Sequence, residues 1–451
     1  MTEKLKFIIL SIIGFVFFLV PFTINGESSI MISHITNFIT THILDGFILF
    51  TEVSAWIVLI ATILFLFYTS SSKFLNKTFK TTPINVVLRI LGSFLYLMVL
   101  NGWFEQTRLG QIVISPDTGG LMAGGTGLLT TLYITFFIGI LALPLLTHFG
   151  IVEFIGIILG PLMEKVFKVP GYSTIDAIAS FVGDGTIGIV VTDNQYQRGY
   201  YNKREAYIIA SSFSVVGIAF AAAVAEELQF GQIFPIFYGS ILFVTLILAF
   251  ITARLPLKKF PPTYYENKSP KKAVKPKGKL TIAFAYESAI EQAGSVKILE
   301  ALREAVVNIV NIYVGFLPII MAVGTISLII AEYTVFFDFL SAPLVYVYDF
   351  LGYTREVAQL MAPASIAGFA DMYLPALFIT ESPSEASRFF IGVLAFTQLV
   401  FMSETGMVLV KSKIGFNMWD VTKLFLFRTV LSIPILMVLT YFLQFVGILT
   451  F

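Results

Sequence analysis

The sequence predicts an all-α polytopic membrane protein: two inverted-topology repeats with interrupted or re-entrant helices, behind three N-terminal spans. Three observations predict it. Apolar residues make up 57% of the chain and charged residues 13%, against about 25% charged in a soluble domain. Many apolar runs reach roughly 20 residues, the length a helix needs to cross the hydrocarbon, whereas a barrel would use shorter, alternating segments. A motif in the first half returns near the middle of the second, and each copy precedes a segment broken by glycine, proline and polar residues.

The N-terminal unit is residues 1–125. Its spans are expected at 5–22, 46–68 and 84–103. The opening "MTEKLKFIILSIIGFVFFLVPF" has a basic start and an apolar run but no convincing small-x-small cleavage site, so it reads as a retained span. The first repeat, 126–253, is expected to hold a span at 126–148, two irregular segments at 150–167 and 173–192, and spans at 205–225 and 233–253. Whether the irregular segments span or re-enter stays open.

Residues 254–304 form the linker. Arg254–Lys279 holds nine basic residues and one acid, Glu266, with prolines that argue against packing. The end of this unit, 281–304, reads as an amphipathic helix. The second repeat, 305–451, is expected to carry a span at 305–330, a short helix at 334–350, an irregular segment at 357–378, and spans at 387–410 and 423–448. Lysines and arginines gather in the loops at 73–80, 198–204, 254–279 and 411–413, so the positive-inside rule places those loops and the N-terminus in the cytoplasm. The C-terminus then falls outside.

The repeat shows best where "IVEFIGIILGPLMEKVFKVPGY" at 151–172 parallels "YTVFFDFLSAPLVYVYDFLGY" at 333–353, with Pro161-Leu162 matching Pro343-Leu344. By topology the first unit begins outside and the second inside. Inverted repeats with interrupted helices are a common plan for secondary transporters.

A backbone interrupted at membrane depth frees N–H and C=O groups, which must be buried or line a polar cavity. Gly183, Gly185 and Gly188 in "SFVGDGTIGIVVTDNQYQRG" permit such a break, and Pro170-Gly171 supplies a tight connection upstream. Asp184 and Thr186 flank Gly185 and are expected to face a cavity; an intramembrane aspartate is suited to bind a proton, a cation or a ligand donor. Thr192, Asp193, Asn194 and Gln195 either extend that site or cap a helix at the water boundary.

In the second half, Pro363, Ser365, Gly368 and Asp371 of "LMAPASIAGFADMYLPALF" play the same disruptive and polar parts. Ser365 and Asp371 are site candidates, although a serine also serves close helix packing. Glu153, between Gly150 and Gly156, is either interfacial or part of a short re-entrant helix. Asn308 and Asn311 lie one turn apart in a long span, and Gln398 sits deep in another. Glu404 is either a coupling carboxylate or an ion-pair member. Tyr133, Phe181, Phe369 and Tyr373 are the aromatics near the breaks.

The chain has no cysteine and three scattered histidines, so no thiolate or HExxH metal site is expected. No Ser/Lys pair or P-loop appears either, which argues against a membrane enzyme and an ATP-driven pump. No cofactor, metal or nucleic-acid partner is expected.

The stretch "GDGTIGIVVTDNQYQRGYYNKREAYIIASSFSVVGIAFA" resembles the YjiH-like branch of the nucleoside transporter gate-domain (nucleoside recognition) membrane proteins. The gate signature also resembles "ALPLLTHFGIVEFIGIILGPLMEKVFKVPG" and its second-half counterpart. The resemblance covers about 130–410 and implies a bacterial inner-membrane location, re-entrant hairpins paired with broken helices, and a solute held by polar groups on them. It implies coupling to Na+ or H+, with roles falling by position on Glu153, Asp184, Thr186, Ser365, Asp371 and Glu404. It also implies self-association, for which the residues themselves carry no signal.

Two functions are expected to compete. The first is secondary transport of a small polar solute, a nucleoside or nucleobase being favoured. The alternative is a non-transporting gate-like scaffold or accessory protein, which would tolerate Asp184→Asn.

Overall fold

Lipid offers no partner to a backbone N–H or C=O, so apolar runs of this length close their hydrogen bonds internally as helices. The computed structural model describes residues 2–24, 27–123, 128–182, 185–215, 217–255, 257–267, 282–402 and 405–450. Among them, six helices are long and apolar enough to cross a membrane: 44–67, 83–101, 129–147, 231–252, 298–333 and 418–445.

The N-terminal unit contains α1 (Glu3–Leu19), α2 (Met31–His42), α3 (Leu44–Phe67), α4 (Lys73–Phe79), α5 (Pro83–Asn101), α6 (Arg108–Ile114) and α7 (Gly119–Ala123). The expected spans at 46–68 and 84–103 correspond to α3 and α5; the one expected at 5–22 is the 17-residue helix α1, which is not among the six. One departure from an all-α chain is a two-stranded antiparallel ribbon, β1 (Phe22–Ile24) and β2 (Glu27–Ser29), with Phe22 opposite Ser29. The intervening Asn25-Gly26 is the sequence pair that tight hairpins favour.

The first half continues with α8 (Leu128–Ala142), α9 (Pro144–Thr147), α10 (Ile151–Leu162), α11 (Ser173–Val182), α12 (Gly185–Arg198), α13 (Lys203–Ser212), α14 (Ile218–Glu227) and α15 (Phe234–Thr252). After α16 (Ile282–Ser295) come α17 (Ile298–Gly315), α18 (Leu317–Tyr333), α19 (Phe336–Phe350), α20 (Arg355–Ala367), α21 (Leu374–Ile379), α22 (Glu385–Gln398), α23 (Thr405–Lys411) and α24 (Met418–Phe445). The expected amphipathic helix at 281–304 therefore stops at Ser295, and its last residues open α17. Six of the nine basic residues in the stretch before α16 lie outside the described residues.

Helix length decides what the short elements do. α11 and α13 have 10 residues each, or about 15 Å, half of the ~30 Å hydrocarbon. α11 packs on α12, and α20 on α21, so each pair turns back on itself as a hairpin. By contrast, α13 and α14 both pack along the unbroken α15, and α22 and α23 both pack along α24. Each of those pairs is two short helices laid along one long helix. The expectation of unbroken spans at 205–225 and 387–410 is corrected here: the first breaks after Ser212 and the second after Gln398. Apolar periodicity runs through both breaks, so hydropathy does not reveal them.

The halves keep one register. α11 starts at 173 and α20 at 355, a difference of 355 − 173 = 182. α13 starts at 203 and α22 at 385, again 385 − 203 = 182. Asn202 caps α13 by accepting from the Glu205 N–H, and Ser384 caps α22 by accepting from the Ser387 N–H. Pro161 lies inside α10 and Pro343 inside α19 at the same offset.

Candidate functional site

Each chain interruption frees carbonyls, and following those carbonyls to their donors locates the site. At the first hairpin, Ser180 Oγ donates to the Val215 carbonyl at 3.1 Å, tying the end of α11 to the gap between α13 and α14. The hydroxyl of Tyr238, on α15, donates to the Phe181 carbonyl at 2.6 Å. Gly188 makes the approach possible: a Cβ there would lie 2.8 Å from Ser180 and 3.4 Å from Ser214 Oγ.

The second half repeats the arrangement with other side chains. The Met402 N–H donates to the Phe369 carbonyl at 2.8 Å, joining the gap after α22 to the second hairpin. Gln398, the last residue of α22, donates from Nε2 to the Ser365 carbonyl and to Thr429 Oγ1, each at 2.9 Å. Gly368 again permits the contact, since a Cβ there would stand 2.3 Å from Gln398 Oε1. Thr405 Oγ1 holds the gap itself, donating to the Leu399 carbonyl and accepting from the Phe401 N–H.

Leu399 has φ of 63°. A branched residue in that left-handed region costs roughly 1–2 kcal/mol. Such strain persists only where the surroundings over-determine the backbone, as at functional sites.

The two halves meet at these gaps. Arg428 of α24 donates from Nε to the Thr397 carbonyl at 2.7 Å and from Nη1 to the Ser211 carbonyl at 3.1 Å. It is fully buried. Phe220 packs against both Tyr373 and Phe396. Further out, Thr380 Oγ1 donates to Glu227 of α14.

Of the residues singled out from sequence, Ser365, Asp371 and Gln398 lie at the second hairpin and its broken partner. All three are buried. The Ser365 hydroxyl donates to the Met361 carbonyl and pairs with Tyr348 at 2.6 Å. Asp371 accepts from the Tyr373 N–H at 2.8 Å. Thr192 is buried and donates to the Gly188 carbonyl within its own helix. Asp193 accepts from Gln197 and from the Lys413 N–H, joining α12 to the second half. Asn194 is exposed, and Gln195 keeps a buried Oε1 without a partner.

Glu153 stands in the first turn of α10, which packs on α16 as well as on α11. Asn308 lies midway along α17; Asn311, one turn on, accepts from Thr78. Asp184 and Glu404 fall outside the described residues, and Thr186 is described only by its backbone in the first turn of α12.

Sequence reasoning missed Arg428, Ser180 and Tyr238. Arg428 carried a readable signal: an arginine inside the apolar run 424–440 marks function or pairing by default. Ser180 and Tyr238 carried none, because their roles depend on carbonyls freed elsewhere.

The family model described as nucleoside recognition, a gate domain, matches residues 129–231. The solved structure of CNTnw in an inward-facing substrate-bound state is similar with a TM-score of 0.46 and 14% identity, over 100% of this chain and 99% of that one. An outward-facing structure of a CNTnw variant gives 0.45 and 14%, over 99% and 98%. The uncharacterized protein BpOF4_10220 of Alkalihalophilus pseudofirmus is 36% identical over 448 residues, spanning 98% of this chain and 95% of that protein. With that full-length relative and the matched gate domain, the chain belongs to the nucleoside-recognition gate-domain family of membrane proteins.

Proposed function

We propose that the protein is a secondary transporter of a small polar solute, a nucleoside or nucleobase being the favoured class, driven by H+ or Na+. One observation carries the reading: two helical hairpins each end against a helix that breaks where the hairpin arrives, tied by Ser180–Val215 and by Gln398–Ser365. Such interruptions leave polar backbone where a solute can replace protein partners. The repeat boundaries at 126–253 and 305–451, their opposite orientation in the inner membrane, and a cytoplasmic 254–304 linker belong to the same proposal. The shared offset of 182 residues supports it.

In this mechanism the solute binds between the hairpin ends and the gaps, with Asp184, Thr186, Asp371 and Glu404 as ligand or coupling groups. One repeat then rocks against the other to alternate access. Counterflow in proteoliposomes tests it, with nucleosides, nucleobases, amino acids and short-chain carboxylates, each with and without Na+ and pH gradients. Saturable exchange of one class, lost in Asp184→Asn, is the expected result. No exchange and no ligand-induced thermal shift from folded protein would reject transport in favour of a scaffold role.

A further inference from the structure

Arg428 occupies an unusual position. The carbonyls it grips, Ser211 and Thr397, are each the last but one in their helix, α13 and α22. Neither has an intrahelical N–H to receive, because the last turn of a helix leaves its carbonyls free. Each helix end also carries about half a negative elementary charge. Two ends together come to about one negative charge, matching the single positive charge of the guanidinium. No carboxylate among the described residues pairs with Arg428, and its Nη2 has no partner. Among the described residues, the two helix ends are its counter-ion.

In carriers built from broken helices, the C-terminal ends of half-helices and the unwound carbonyls coordinate the coupling cation. We infer that Arg428 is a tethered cation standing at the ends of α13 and α22, in place of a sodium ion, so that transport does not use Na+ at these carbonyls. A sodium ion touching the Ser211 and Thr397 oxygens would stand beside the fully buried guanidinium, a like charge where bulk solvent does not screen it. The guanidinium also joins the halves, since one carbonyl comes from each. Coupling is accordingly assigned to protons in this proposal. This deepens the transporter reading and takes its meaning for transport from it; the binding test below does not depend on it.

The test is thermal unfolding of the purified full-length protein in sodium, potassium or choline chloride at equal ionic strength, with wild type, Arg428→Ala and Arg428→Lys. A ligand that binds only the folded state raises the melting midpoint by mass action. Wild type and Arg428→Lys are expected to melt alike in all three salts. Arg428→Ala is expected to melt lower in choline and to recover part of the loss in sodium alone. A saturable, sodium-specific rise in wild type, or a folded Arg428→Ala variant without one, overturns the inference. If Arg428→Ala does not fold, Arg428→Lys decides: equal midpoints support a resident cation, and a sodium-specific rise rejects it. In proteoliposomes, wild-type counterflow is expected to be equal in sodium and choline, and dependence on sodium counts against the inference. Absence of counterflow for every solute rejects the transporter reading and leaves the melting data to judge Arg428.

Discussion

Gln398 reaches the Ser365 carbonyl at 2.9 Å, and with that bond the end of a broken helix fastens itself to a hairpin. The same amide holds Thr429 of α24. Three separate segments thus depend on one side chain, which is 1% exposed. Replacing it by Leu keeps the bulk and strands the Ser365 carbonyl. A buried group left without a partner costs about 1–3 kcal/mol. Gln398→Leu is expected to lower the melting midpoint and to slow counterflow, as read in detergent and in proteoliposomes. Unchanged values in both would show that the hairpin is held elsewhere.

Gly188 and Ser180 make a second, steric prediction. A methyl at 188 would stand 2.8 Å from Ser180, closer than real Cβ contacts come. Gly188→Ala is expected to push the first hairpin off the gap at 213–217 and to cost about 1–3 kcal/mol, typical of overpacking. Adding Ser180→Gly removes the clashing atoms. It should recover packing but not the bond to Val215. The double-variant melting curve checks this, and no recovery would place the strain elsewhere.

Tyr348 and Ser365 form a buried hydroxyl pair. Ser365→Ala leaves the Tyr348 phenol without a partner, costing about 1–3 kcal/mol, whereas Tyr348→Phe removes one ordinary bond worth about 0.5–1.5 kcal/mol. A structural serine gives this order of stabilities and leaves the KM for the solute alone. A serine that also touches the solute raises KM in Ser365→Ala but not in Tyr348→Phe, so counterflow kinetics of the two variants separate the roles.

Leu399 sets strain against packing. A glycine there relieves roughly 1–2 kcal/mol of left-handed backbone cost. The side chain is 4% exposed, and emptying such a site costs about 2–5 kcal/mol. Packing therefore wins, and Leu399→Gly is expected to be less stable than wild type by denaturant titration in detergent micelles. A more stable variant would mean the backbone strain is larger than ordinary left-handed geometry implies.

Membrane class, the main apolar spans and the two disrupted stretches were legible in the sequence, because each is written locally. Composition forces lipid exposure, and glycine and proline weaken a helix wherever they stand. Pro161 and Pro343 even carried the offset between the halves. The breaks after Ser212 and Gln398 were not legible. "SSFSVVGIAFA" and "TQLVFMSETG" read as ordinary span interior, and a broken helix there is stable only because distant donors receive its carbonyls.

Tertiary structure alone decided which groups those donors were. Ser180 meets Val215 across 35 residues of chain, Gln398 meets Ser365 across 33, and Arg428 meets Ser211 across 217. A freed carbonyl in a membrane accepts whichever donor packing delivers. Its partner is therefore a property of the assembled fold and not of the local sequence.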